Sequence, residues 1–136
     1  MKGIVNLSEA SLLALHSMVL LAQDESEPLT IKQMAEKTTS SEAHLSKVMQ
    51  RLAKIELVDS IRGPNGGFYL KRPINTITLL DIYEAIEGRL EEGSCFGKAG
   101  KCPFKKCIFG GLIDKIRHEF RQYLASKTLK DLVETS

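Results

Sequence analysis

Apolar positions recur at helical spacing in five stretches of the chain and flank a glycine-rich turn in one more, and this pattern lays out the fold. Ser8 precedes Glu9 and then Leu12, Leu13, Leu15, Val19 and Leu20, which predicts an N-capped helix ending before the acidic, proline-containing loop Asp24 to Pro28. Thr30 with Gln33 forms a capping box, and Ile31, Met34 and Ala35 predict a short second helix. After Thr38, Thr39 and Ser40, a second box of Thr39 with Glu42 opens a third helix whose Leu45, Val48, Met49 and Leu52 make a buried stripe. Leu57, Val58 and Ile61, then Arg62-Gly63-Pro64-Asn65-Gly66-Gly67, then Phe68-Tyr69-Leu70 predict a β-hairpin with glycine supplying positive φ at its tip. Thr78 opens a fourth helix with Leu79, Ile82, Tyr83 and Ile86 on one face and Gly88 at its end. Beyond Gly110-Gly111, Ile113, Ile116, Phe120, Tyr123 and Leu124 form the apolar stripe of a longer helix.

The order helix, turn, helix, hairpin is that of a winged helix-turn-helix. The expected fold is therefore mainly α with a small β-hairpin: a winged helix-turn-helix over about residues 1–75, a cysteine loop over about 91–110 and a long helix over about 111–127. A length of 136 residues suits one domain, residues 1–136, and is short for a large enzyme. The uncharged run from Ser11 to Ala22 is too short to span a bilayer and no charged leader precedes it, so the expected location is cytoplasmic, with no membrane partner.

Net charge, +2, changes little, but its distribution does. Between Lys32 and Arg72 stand eight basic residues (Lys32, Lys37, Lys47, Arg51, Lys54, Arg62, Lys71, Arg72) against four acidic ones (Glu36, Glu42, Glu56, Asp59), a balance that suits a polyanion. On the third helix Ser40, His44, Lys47 and Arg51 are spaced four, three and four apart, with Ser41 beside them. Small hydrogen-bonding groups followed by cations fit a helix that reads the major groove of double-stranded DNA; the competing reading is a solvated amphipathic face. The hairpin tilts the balance toward DNA, with Arg62 at the wing base facing phosphate or minor groove and Asn65 at the tip. His16 reads as a packed core or interface residue, and His118 as a surface or interface residue, rather than as ligands.

All 3 cysteines lie in one segment, Cys95, Cys102 and Cys107, spaced Cys-x6-Cys-x4-Cys. Lys98, Lys101, Lys105 and Lys106 stand among them with no acidic residue, which favours thiolate, the form that binds metal or reacts. A disulfide framework, a structural zinc site and an iron-sulfur cluster compete for this segment. The odd count speaks against the first and the lack of paired Cys-x2-Cys or Cys-His knuckles against the second. Three thiolates with a distant fourth donor of another type fit a cluster best, although spacing alone does not separate it from the rest. An amphipathic helix after the core elements suits either core packing or pairing with a second chain, and a dimer would present two reading helices to a palindrome.

The wing Arg62-Gly-Pro-Asn-Gly-Gly-Phe, the segment His44-Leu-Ser-Lys-Val-Met-Gln-Arg-Leu, the helix Asp81-Ile-Tyr-Glu-Ala-Ile-Glu-Gly, the three-cysteine loop and the ending Thr128-Leu-Lys-Asp-Leu-Val together resemble bacterial winged-helix regulators of the IscR and NsrR type. The resemblance spans nearly the whole chain. It implies a homodimeric transcription regulator whose iron-sulfur cluster reports iron-sulfur status, nitric oxide or redox stress, held by Cys95, Cys102 and Cys107. A 2Fe-2S form is expected slightly ahead of 4Fe-4S. Where IscR-type members place a histidine ligand this chain has Gly110, whereas Glu9 matches the acidic ligand that NsrR-type members donate from the other subunit. The competing role for Glu9 is a carboxylate complementing a helix N-terminus. Two alternatives remain: a cluster-free regulator, known among relatives, that uses its cysteines as thiol sensors or binds a partner protein, and a thiol redox enzyme. The enzyme lacks a Cys-x2-Cys pair and a histidine near the cysteines in sequence.

Overall fold

Side-chain caps set where most of the helices begin. The computed structural model describes residues 7–64, 66–90 and 102–135. Among them the order is α1 (Glu9–Gln23), α2 (Ile31–Thr38), α3 (Glu42–Lys54), β1 (Val58–Ile61), β2 (Gly67–Leu70), α4 (Leu79–Glu87), α5 (Leu112–Ser126) and α6 (Leu129–Thr135), with a 3-10 turn at Ile74–Thr76. This is a mainly α winged helix-turn-helix with one small antiparallel sheet, as the pattern predicts. Ser8 caps α1 by accepting the N–H of Ser11, and full capping boxes start α2 at Thr30 and α4 at Thr78.

The start of α3 departs from expectation. Thr39 does not form a box with Glu42, because it lies in the left-handed region (φ 55°) and closes the C-terminus of α2 by donating its N–H to Ala35. The cap of α3 falls to Ser41, whose hydroxyl accepts the N–H of His44.

α1 lies at the centre of the core, packed against α3, α4 and α6. Its Leu13, Met18 and Leu21 are buried beside Met34, Leu45, Met49, Leu52, Ile77, Ile82 and Leu129. Burying each such side chain contributes about 1.5–3 kcal/mol relative to exposure. His16 is not part of this core: it is exposed, with Nδ1 2.6 Å from the carbonyl oxygen of Leu12 one turn back.

α6 was not expected as an element. Thr128 and Asp131 repeat the arrangement of Thr78 and Asp81, each pair exchanging two hydrogen bonds. The two threonines face each other in an antiparallel bridge in which Leu79 donates to Lys127 and Leu129 donates to Ile77. That bridge brings the chain back from α5 to the core.

The apolar stripe expected on α5 divides into two. Phe120 and Leu124 turn inward while Ile113 is half-buried, and Phe120 meets Tyr83 of α4 edge to face, with centroids 5.3 Å apart and an interplanar angle of 77°; such a pair contributes about 0.5–1.5 kcal/mol beyond its buried area. Ile116 and Tyr123 turn outward with Leu112.

In the hairpin Val58 pairs with Leu70 and Ile61 with Gly67. Positive φ falls on Gly63 (111°) and Gly67 (147°) rather than on Gly66. Gly66 is required for space instead: a Cβ there would lie 2.0 Å from the carbonyl oxygen of Ile61. Leu29, ahead of α2, pairs with Phe68 through two backbone hydrogen bonds of 3.0 and 2.7 Å, so the wing is sewn to the helix-turn-helix. Gly67→Ala should therefore lower stability by about 1–3 kcal/mol, because its Cβ would meet the Leu29 backbone at 2.6 Å in a backbone conformation that side chains avoid. A shift of the urea midpoint checks this, and an unchanged midpoint would contradict the tight seam.

Candidate nucleic-acid interface and cysteine segment

α3 presents its polar side away from the core stripe of Leu45, Val48, Met49 and Leu52. The exposed row is Ala43, Lys47, Gln50 and Lys54. This row is rotated from the one expected. Of the expected residues, Lys47 is exposed, Ser41 is occupied as the cap, His44 is half-buried, and Ser40 is half-buried with its hydroxyl 2.8 Å from that of Thr38. Arg51 is exposed but turns back on the protein, its Nη2 donating to the carbonyl of Ile86 in α4. Gln50 and Lys54 were missed; their signal was present in the sequence, since both sit opposite the buried stripe, but the cap position had to be known to fix the row.

Arg62 is exposed where β1 ends, and Asn65 lies outside the described residues. Lys71 meets Glu56 at 3.3 Å, and Arg72 meets Asp81 at 3.5 Å and the carbonyl of Thr76 at 3.2 Å. These exposed pairs add about 0–1 kcal/mol each. Glu56 and Asp81 offset part of the attraction of these two cations for a polyanion. Lys47, Lys54 and Arg62 have no acidic partner among the described residues and keep their charge for solvent or a ligand.

Of the cysteines, Cys95 lies outside the described residues, and Cys102 and Cys107 are both exposed free thiols. Cys107 sits just ahead of α5. The N–H of Gly111, 3.4 Å from Sγ, holds its thiol below the ordinary value, helped by the N–H groups of Phe109 and Gly110 and opposed by slight desolvation and Asp114. The thiol of Cys102 donates to the carbonyl of Phe104 at 3.8 Å. Two open sulfurs, one biased to thiolate by backbone donors, are a donor chemistry that fits a soft metal or cluster. Among the described residues no three His, Cys, Asp or Glu side chains converge on one point. Glu9 is exposed in the first turn of α1, at the rim of a groove of about 740 Å³ between α1 and the turn of the helix-turn-helix, which Leu12, His16, Thr39 and His44 also line.

In the metal-free double variant Cys95→Ser/Cys102→Ser, alkylation of Cys107 by iodoacetamide should reach half its plateau rate at a pH below the ordinary thiol range. The thiolate is the reacting form, so stabilising it moves the profile to lower pH. A midpoint at or above the ordinary value would contradict the role given to the backbone donors.

The profile of the Rrf2 family, described as an iron-dependent transcriptional regulator, matches residues 7–135. The chain is 33% identical over 114 residues to the transcriptional regulator NsrR of Oceanobacillus iheyensis, covering 82% of this chain and 78% of that protein. For several other curated relatives the matched stretch covers 62–68% of their length. The structure resembles that of CymR, the global cysteine regulator of B. subtilis, with a TM-score of 0.83 and 27% identity over 97% of this chain and 98% of that one. It also resembles T. potens IscR, with a TM-score of 0.77 and 26% identity over 96% of this chain and 88% of that one.

Proposed function

The chain belongs to the Rrf2 family of DNA-binding transcriptional regulators, and from that premise we propose that it is a homodimer that senses iron-sulfur status, nitric oxide or redox stress through a cluster on its cysteine segment. The observation that carries this reading is the pair of solvent-open thiols, Cys102 and Cys107, with backbone donors biasing the second toward thiolate. Cys95, Cys102 and Cys107 hold the cluster, with the partner subunit's Glu9 as fourth ligand. When bound, the cluster supplies a centre that responds to oxidants and nitric oxide. Acting on DNA in this reading puts the protein in the cytoplasm. No helix of the described residues is long and apolar enough to cross a membrane.

Dimerisation in this reading uses the outward face of α5 and the turn before it. Phe104, Ile108, Phe109, Leu112, Ile116 and Tyr123 are 37–69% exposed, a run of apolar side chains that a monomer would leave in water. Two copies covering it on each other would set two α3 helices for two half-sites. At the DNA, Lys47, Gln50 and Lys54 face the groove and Arg62 the backbone, with Ser40, Ser41 and His44 at the entry end of α3; Asn65, outside the described residues, remains an expected contact on sequence grounds.

A second reading, a cluster-free regulator that senses through the thiol of Cys107, draws on the same thiolate bias and on the likeness to a cysteine regulator. Colour separates the two, since anaerobically isolated protein with visible absorbance carries a cluster.

If the dimer meets on the order of 6 to 10 phosphates, affinity for a duplex selected from a random pool should fall about 10³ to 10⁵ fold between 50 and 200 mM salt. A flat response would remove DNA from the reading. Cys95→Ala, Cys102→Ala or Cys107→Ala should each abolish the visible absorbance while leaving the helical circular dichroism, because the core of α1, α3 and α4 owes nothing to metal. Glu9→Ala should bleach faster in air. Leu112→Glu with Ile116→Glu, which separates the subunits, should do the same. Unaltered bleaching with Glu9→Ala would take Glu9 out of the ligand set.

A further inference from the structure

The place where α4 ends gathers polar contacts from two other helices. The last four carbonyls of a helix have no i+4 N–H within it, and here the Ile86 carbonyl accepts from Nη2 of Arg51, which comes from α3, 35 residues earlier. A guanidinium at a helix C-terminus is favoured both by charge-assisted hydrogen bonding and by the partial negative charge there. The neighbouring Glu87 accepts from the hydroxyl of Ser8, the cap of α1. Glu84 closes the end, its backbone carbonyl accepting from Gly88 at 2.9 Å and its carboxylate from the N–H of Leu90 at 2.7 Å. With the Leu90 N–H so engaged, the guanidinium fills the acceptor that the helix could not.

The chain leaves this junction at Gly88 (φ 83°) and reaches Cys95 seven residues later. α3 and α4 otherwise share one apolar core, to which Leu52 and Ile86 contribute and whose attraction is non-directional. The Arg51 hydrogen bond adds a directional tie.

We propose that Arg51 is a positioning residue rather than a phosphate contact: it ties the DNA-facing helix α3 to the end of α4, so that a rearrangement of the cysteine segment is passed to α3. This rests on the reading of α3 as the DNA-facing helix. A pull on Gly88 to Leu90 moves the Ile86 carbonyl, and the carbonyl moves Arg51, which lies one residue from Gln50 and four from Lys47 on the same helix. The change in DNA affinity then needs no altered contact at the DNA itself.

The test uses the full chain with Arg51→Met, which keeps the apolar stem, Arg51→Lys, which keeps the charge, and Arg62→Met as the phosphate-contact control. Binding to a random-sequence duplex is followed against salt in two states, anaerobically isolated and metal-free reduced, and amide exchange is followed at Gly88 and Leu90. Arg51→Met should leave the slope of log affinity against log salt unaltered, whereas Arg62→Met lowers it by about 1 per protomer. Exchange at Gly88 and Leu90 should quicken roughly tenfold in Arg51→Met and not in Arg62→Met, with partial recovery in Arg51→Lys. The affinity ratio between the two states should approach one in Arg51→Met alone. A slope that falls by about 1 together with unaltered exchange would overturn the proposal and make Arg51 a phosphate contact. If the parent chain binds no duplex, it is the DNA reading that fails, and exchange at Gly88 and Leu90 still decides whether Arg51 holds the end of α4.

Discussion

The broad buried face of α1 is the constraint from which the other placements follow. Ser11, Leu13, Ala14, Ser17, Met18, Leu21 and Ala22 are all buried, a face about half the helix wide that needs more than one neighbour to cover it. α3, α4 and α6 supply them. The small residues at 11, 14, 17 and 22 let those helices approach closely, and the hydroxyl of Ser11 is satisfied locally by the carbonyl of Ser8. Because α1 fixes α3 and α4 together, the helix that faces outward with Lys47, Gln50 and Lys54 and the helix that leads to the cysteines share one support.

The periphery is held by weaker devices, and these lie where a regulator needs freedom. The wing is a two-stranded hairpin, marginal alone, and depends on two backbone bonds between Leu29 and Phe68. α5 rests on α4 through Phe120, Leu124 and the Tyr83 ring, with its other face open. Residues 102–110 are exposed throughout. Elements with few buried apolar contacts open at lower free energy than the core, so these segments can rearrange while the core stays folded.

Much of this was legible in the order of residues because the signals are local. Ser8, Thr30 and Thr78 fall where the caps form, and Gly88 stands where α4 ends, since a cap or a left-handed turn involves only residues within one helical turn. The stripe Leu45, Val48, Met49 and Leu52 and the hairpin with its glycines likewise depend on near neighbours, and the grouping of three cysteines is visible without any fold. Thr39 shows the limit of such local reading. Two boxes were possible on paper, and the closure of α2 took the residue that the second one required.

What only the tertiary structure decided concerns partners far apart along the chain. Spacing puts Arg51 in line with Lys47, but whether its guanidinium faces a ligand or the carbonyl of Ile86 depends on where α4 packs. The five apolar residues of α5 fit one helical stripe on spacing, and the position of Tyr83 divides them between a packed face and an open one. His16 joins an apolar helix in the sequence yet stands outside the core, since α3, α4 and α6 cover the other sides of α1. Local sequence determined the elements and the chemistry they carry, because caps, turns and stripes are short-range physics; which side of each element met the core was settled by long-range packing, because a helix face has no direction until a neighbour covers it.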